Sequence, residues 1–302
     1  VRGFGEILDD SLQALLRPRP IVRLETVRIL APLMILGFMS SRVIHPGDWI
    51  ASSGFRIPDV PDDWRQRAHF APLDPWAAYT VCIALVVSGL ATAAGAFTRI
   101  SAAVFAALLT YVALADRLSA FTVSKIGPVI ALALALTPSG SRWSVDAWRR
   151  KRKDPDYVLP THVSWGCIAF FQIFLAAFYC SSGFYKFHGD WWDHYKPYVL
   201  FTHLHDSYQT PISWLLANHL PAFGWTLLQW ITLVFEMGAP LWFLLPWTRP
   251  FAFIWAVGMH AMIGMMFAPV AWFSLLMMSL LVASYAPATL LDPSLARAKI
   301  TK

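Results

Sequence analysis

The sequence predicts an all-α, polytopic integral membrane protein: a bundle of about eight transmembrane helices with both termini on the cytoplasmic side. Three observations carry this. Of 302 residues, 57% are hydrophobic and only 14% charged, and the apolar residues gather into runs of about 20 separated by short polar joints. Those runs lack the alternation of a transmembrane barrel strand. Backbone groups in hydrocarbon must be satisfied within their own segment, so each run is expected to be a helix. Finally, with the N-terminus inside, fifteen Lys and Arg fall on cytoplasmic joints and six on outer ones, which is the positive-inside pattern.

Residues 1–20 carry acids among short apolar stretches and no small-residue cleavage site. They are expected to form an amphipathic segment lying against the membrane surface. The transmembrane domain is expected over 21–290, and 291–302 as a cytoplasmic tail. Eight spans are drawn, at roughly 23–40, 77–97, 100–117, 120–137, 162–186, 223–246, 250–268 and 270–287. Between the last two, Pro269 marks either a tight turn or a kink in one bent helix.

Two outer segments are long. Residues 41–76 are rich in Pro and Asp and read as a loop flanked by the interfacial Trp64 and Trp76. In 187–222, "PISWLLANHL" reads as a short helix lying flat on the membrane. The basic run "WRRKRKD" at 148–154 reads as a membrane-surface anchor meeting anionic lipid, not as a nucleic-acid site. Cys82, Cys167 and Cys180 fall in apolar runs with no pairing pattern, so neither a disulfide nor a thiolate zinc site is expected.

Ionisable groups inside a bilayer are costly, about 2.5–3.5 kcal/mol each on insertion scales, so the exceptions are the functional candidates. They are Glu25, Arg28, Lys125, Lys186, Glu236 and His260. Glu25 and Arg28 are three apart near the inner end of the first span and read as an interfacial ion pair. Lys125 lies near the outer end of the fourth span, able either to snorkel or to line a site.

Glu236 and His260 fall near the midplane of their spans. A buried Glu236–His260 pair is expected, serving either to lock two helices or to relay protons. Gly183 is expected to end the fifth helix early, leaving Lys186 just inside the outer boundary. There it is either a snorkelling residue of the aromatic belt or a general base. Because Lys186 lies shallower than Glu236 and His260, a shared site requires an outward-open cavity. His188, Asp190, Asp193, His194, His203, His205 and Asp206 are the metal-ligand candidates at the outer face, the histidines foremost, without a dedicated spacing, and no metal is expected.

Four stretches, in this order, resemble the HTTM membrane domain, the bacterial relative of the transmembrane part of vitamin K-dependent gamma-carboxylase. They are "RWSVDAW" (142–148), "YCSSGFYKFHGDW" (179–191), "FEMGAPLWF" (235–243) and "GMHAMIGMMF" (258–267), and the resemblance covers about 20 to 290. Gly183, Lys186, Asp190 and Trp191 match the carboxylase setting of its base-chemistry lysine. The resemblance therefore implies that Lys186 takes the proton of a reduced quinone of the vitamin K type. His260, matching a His followed two residues later by Met, is implied to orient or protonate the oxygenated cofactor, with Glu236 assisting. Lys125, Trp191 and Trp192 are the candidates for holding the cofactor.

The sequence also departs from the carboxylase. Ile263-Gly264 stand where a polar pair follows the His-x-Met, and the extramembrane portion that binds a recognition peptide has no counterpart in these residues. The expectation is a retained membrane reaction chamber without the peptide-glutamate substrate. An enzyme of this kind is a carboxylase-like lyase or a quinol-dependent oxygenase in a bacterial inner membrane, in contact with lipids.

Two other classes stay open. One is a maturation or export factor for a secreted peptide, working with a small partner subunit and no redox chemistry. The other is a structural subunit of a membrane complex.

Overall fold

The structure, a computed structural model, describes residues 10, 13–54, 70–115, 121–189, 191–192, 199–202, 204 and 209–295. It is built almost wholly of helices and divides into two compact units, Pro18–Val163 and Val1–Arg17 with Ser164–Lys302. Among the described residues, eight longer helices lie along the expected runs. Among the described residues, six are long and apolar enough to cross a membrane: Val22–Ile44, Pro75–Ala94, Thr98–Ala115, Trp165–His188, Ala222–Leu244 and Ala268–Tyr285. Thr122–Leu136 is apolar but shorter, and Arg249–Met266 carries Arg249 and His260 within its 18 residues.

In the Pro18–Val163 unit, four helices pack in a ring: α1 (Val22–Ile44), α2 (Pro75–Ala94), α3 (Thr98–Ala115) and α4 (Thr122–Leu136). Each touches its chain neighbour, and α4 returns to α1. Pro18–Pro20 and His162–Ser164 form a two-stranded ladder. The turn between α2 and α3 needs Gly95, whose φ is 71°. A Cβ there would lie 2.3 Å from the Ser144 Cβ and 2.8 Å from an Arg28 nitrogen, so no larger residue fits that left-handed position.

That turn belongs to a polar knot. Arg28, fully buried, donates from Nε to the Ser139 carbonyl at 3.0 Å and from Nη1 to Thr92 at 3.2 Å. It also donates to the carbonyls of Ala93 and Trp143. Glu25, equally buried, accepts from the Trp143 N–H at 2.8 Å. The two are buried, not interfacial as expected: their opposite charges still act on each other, but their hydrogen bonds go to backbone groups left open at the end of α2 and in the loop after α4.

Helix α5 (Val145–Lys153) follows, its N-cap Ser144 accepting from the Ala147 N–H. Its Asp146 accepts from the N–H groups of Phe97 and Thr98 and from the Thr98 hydroxyl, each at 2.8 Å. The start of α1, the end of α2, the start of α3 and the end of α4 therefore share one end of the ring, and the basic residues of α5 lie there. At the far end, Ile50 and Ala51 pack on Ala78, Cys82 and Ala115, so the described part of segment 41–76 caps the bundle. Residues 55–69, with Trp64, lie outside the described residues.

In the other unit, α6 (Trp165–His188) packs along α8 (Ala222–Leu244). Helix α9 (Arg249–Met266) and α10 (Ala271–Tyr285) pack against each other as a hairpin. Pro269 sits in the 3-10 turn Ala268–Val270 between them, which resolves 250–287 into two helices. The short helix expected in the second outer segment is α7 (Pro211–His219), opened by a capping box of Thr210 and Ser213. Thr210 also donates to the Met265 carbonyl at 2.7 Å, tying α7 to the end of α9. All three cysteines are free. Most of the expected amphipathic segment, residues 1–9 and 11–12, lies outside the described residues, as does the tail 296–302.

Candidate functional site

The polar residues of the second unit meet between α6, α8 and α9. Helix α6 does not stop at Gly183 but runs on to His188. What Gly183 provides is closeness: a Cβ there would lie 2.6 Å from the Met237 N and 3.0 Å from the Glu236 carbonyl carbon. The backbone of α8 thus lies directly on that of α6.

This contact removes the depth problem. From the Gly183 level, α6 rises five more residues, about 8 Å, whereas α8 began fifteen residues earlier, about 22 Å away. Helix α8 therefore extends well beyond the end of α6. A residue two-thirds of the way along α8 lies opposite the last turns of α6, and no outward-open cavity is needed to join them.

Lys186 Nζ accordingly donates to both carboxylate oxygens of Glu236 at 2.5 Å and to the Ser182 hydroxyl oxygen at 3.1 Å. The side chains are 23% and 5% exposed. On its open side the ammonium faces the Trp191 ring, 5.0 Å from the centroid, a cation–π contact strengthened where water is scarce.

The expected Glu236–His260 pair is corrected. Lys186 reaches Glu236 first, and a carboxylate gains more from an ammonium in contact than from an imidazole. His260, 2% exposed, shares a hydrogen bond of 2.8 Å between its Nε2 and Tyr179 Oη. Its Nδ1 has no hydrogen-bond partner among the described residues. The rings of Phe235, Phe243 and His260 lie around Tyr179 at centroid distances of 5.9, 6.2 and 5.8 Å. The two pairs are electrostatic neighbours, with Glu236 acting on Tyr179 and Lys186 on His260.

Tyr179 and Ser182 were not singled out in the sequence. Their signal is spacing: 179, 182 and 186 fall at i, i+3 and i+7, one face of a helix. A polar set on that face within an apolar run points at a buried site.

Beside this cluster an apolar groove of about 470 Å³ is walled by Trp192, Trp230, Phe235, Trp242, Trp247 and Trp255. One ring, Phe235, separates it from the Tyr179–His260 pair, lying 5.9 Å from Tyr179 and 6.2 Å from Trp255. At its other end Trp192 packs on Trp230 at 5.9 Å, next in sequence to the Trp191 that covers Lys186. Of the expected cofactor-binding residues, Trp191 and Trp192 thus border the cluster and the groove. Lys125 is an exposed residue of α4 in the Pro18–Val163 unit and is not among the residues gathered here.

Of the metal-ligand candidates, His188 ends α6, its Nδ1 at 2.9 Å from the Phe184 carbonyl. His194, His203 and His205 lie outside the described residues, as do Asp193, Asp206 and the Asp190 of the lysine setting. Among the described residues no His, Cys, Asp and Glu cluster suited to a metal is found.

A family model described as the HTTM domain matches residues 17–286. No curated protein and no solved structure matches the chain.

Proposed function

The chain belongs to the HTTM domain family, and from that premise we propose that it is a multi-pass inner-membrane protein whose buried Lys186–Glu236 pair handles protons for a lipid-soluble reduced quinone. The observation that carries this reading is the pair itself: an ammonium and a carboxylate in contact at 2.5 Å between membrane-spanning helices, at a cost that an apolar pair would not incur.

The groove suits such a ligand. Its volume lies in the range of small-molecule sites, and its flat aromatic walls fit a ring. Trp191, Trp192 and Trp230 would hold it near Lys186, and a bound quinol would supply an acidic hydroxyl and two electrons.

The chain's own residues would do the rest. Lys186 and Glu236 would act as one base: passing the ammonium proton to the carboxylate would leave Nζ a lone pair to take the proton of the quinol hydroxyl. Ser182 fixes the ammonium in place, Trp191 shields it from water, and Tyr179 with His260 forms a second site where a proton can be held. The chemistry served would be a carboxylation or an oxidation, with dioxygen as the acceptor of the quinol's two electrons.

We place both termini on the cytoplasmic side with all eight helices crossing. The support is the gathering of Arg99, Arg142 and the α5 cations at the ring end that also holds the start of α1. Peptide maturation is the second reading, favoured by the exposed Trp214 and Leu215 of α7, a surface on which a secreted peptide could rest.

The test is mass spectrometry of the organic extract of detergent-purified protein, wild type against Lys186→Ala, at matched yield and thermal stability. Quinone enriched with wild type and depleted in the variant supports the redox reading. Absence of quinone from both overturns it in favour of a peptide partner.

A further inference from the structure

At the basic end of the Pro18–Val163 unit, a cleft of about 550 Å³ is lined by Phe97, Thr98, Arg99, Ser141, Asp146 and Arg150, among others. Asp146 is already occupied, both oxygens accepting from Phe97 and Thr98. The first turn of α3 is therefore capped and offers no free anion site of its own. The Ser141 hydroxyl donates to the Pro138 carbonyl at 2.8 Å. The remaining donors are two guanidiniums. Arg99 and Arg150 are exposed, and neither makes a side-chain hydrogen bond among the described residues.

The surroundings are those of a membrane boundary. Ile100 of the cleft wall is 67% exposed, and Leu136, the last residue of α4, is 75% exposed. Arg149 lies over Phe97 at 4.6 Å and Arg152 over Trp148 at 5.5 Å. The cleft thus joins two exposed guanidiniums, Arg99 and, beside Asp146, Arg150, to bare apolar helix surface at the end of membrane-crossing helices. Arginine forks match phosphate geometry, and juxtamembrane cations attract anionic headgroups.

We propose that this cleft is a binding site for one anionic phospholipid, with Arg99 and Arg150 on the phosphate and the acyl chains along Ile100 and Leu136. A soluble phosphate would use the arginines but not the apolar wall, and that difference selects the lipid.

Native mass spectrometry of the full chain, exchanged into micelles containing phosphatidylglycerol and phosphatidylcholine, tests this. The Arg99→Gln/Arg150→Gln variant is compared with Lys151→Gln/Lys153→Gln, which removes the same charge from α5 outside the cleft. One retained phosphatidylglycerol is expected on the wild type, with retention falling about fivefold for each cleft arginine removed and little in the control. Equal losses in both variants would show a diffuse basic surface and overturn the proposal, as would no loss in the cleft variant. Displacement by inorganic phosphate as effective as by added phosphatidylglycerol would overturn the choice of a lipid. If the double variant does not fold, Arg99→Gln alone keeps the test, because it leaves Arg150 beside Asp146.

Discussion

Lys186 and Glu236, fifty residues apart in the chain, meet with the ammonium at 2.5 Å from each carboxylate oxygen. Their unequal burial predicts unequal costs. Lys186→Met leaves a carboxylate that is 5% exposed with no counter-charge, and is expected to destabilise by about 3–5 kcal/mol. Glu236→Leu leaves a longer side chain that keeps Trp191 and can turn its head outward, and is expected to cost less. The double variant is expected to lose less than the sum. Denaturant unfolding in detergent across this cycle is the check, and additive losses would show that the two do not interact.

The buried Tyr179–His260 contact predicts a different signature. Tyr179→Phe removes the partner of Nε2 while Nδ1 already lacks one among the described residues, so the imidazole is left without a hydrogen-bond partner among them. A loss of about 1–3 kcal/mol is expected. Adding His260→Leu to Tyr179→Phe is expected to recover part of it, since both partners are then apolar. A further drop on adding His260→Leu would mean that the imidazole finds its main partner elsewhere.

Gly183→Ala separates packing from helix propensity. In an uncrowded helix the change favours the folded state by about 1 kcal/mol. Here the new methyl meets the α8 backbone at 2.6 Å, and backbone cannot move aside as a side chain can. A lower melting temperature, by an amount matching about 1–3 kcal/mol of overpacking, is expected. A higher one would mean that α6 and α8 do not approach this closely.

Most of the helices were legible because hydropathy runs act along the chain. The helices lie along the expected runs, and α7 could be read from Pro211 and the polar residues before it. The site was legible residue by residue but not in its pairings. Lys186, Glu236 and His260 each stand out as costly in an apolar run, yet which of them touch depends on how far one helix slides past another. That offset is set by Gly183, whose packing role does not differ in sequence from that of a helix stop. Glu25 and Arg28 were misplaced for a related reason. Three residues apart on one helix, they look like an interfacial pair, and only the returning loop 139–143 shows that backbone groups take the hydrogen bonds of both. The Trp groove was invisible because it draws rings from α8, α9, the joint between them and the loop after α6.

Asp146 gives a pH prediction outside the membrane-spanning segments. Partial burial pushes its carboxyl up, but hydrogen bonds from Thr98 and Phe97, with Arg150 nearby, outweigh this and hold it below the ordinary value of 3.8. A carboxyl depressed in the folded state contributes stability that is present above the unfolded value and lost as pH falls through the folded one. The melting temperature of the wild type is therefore expected to drop as pH falls below about 4, and the contribution of Asp146 to that drop is isolated by Asp146→Asn. At neutral pH the variant is expected to be less stable by about 1 kcal/mol, the size of a lost helix cap, because an amide accepts through one oxygen where the carboxylate used two. Toward acid pH the two melting curves are expected to converge, since protonation costs the wild type what the substitution already cost the variant. Curves that stay parallel from neutral to acid pH would show that Asp146 does not hold the α2–α3 turn through its charge.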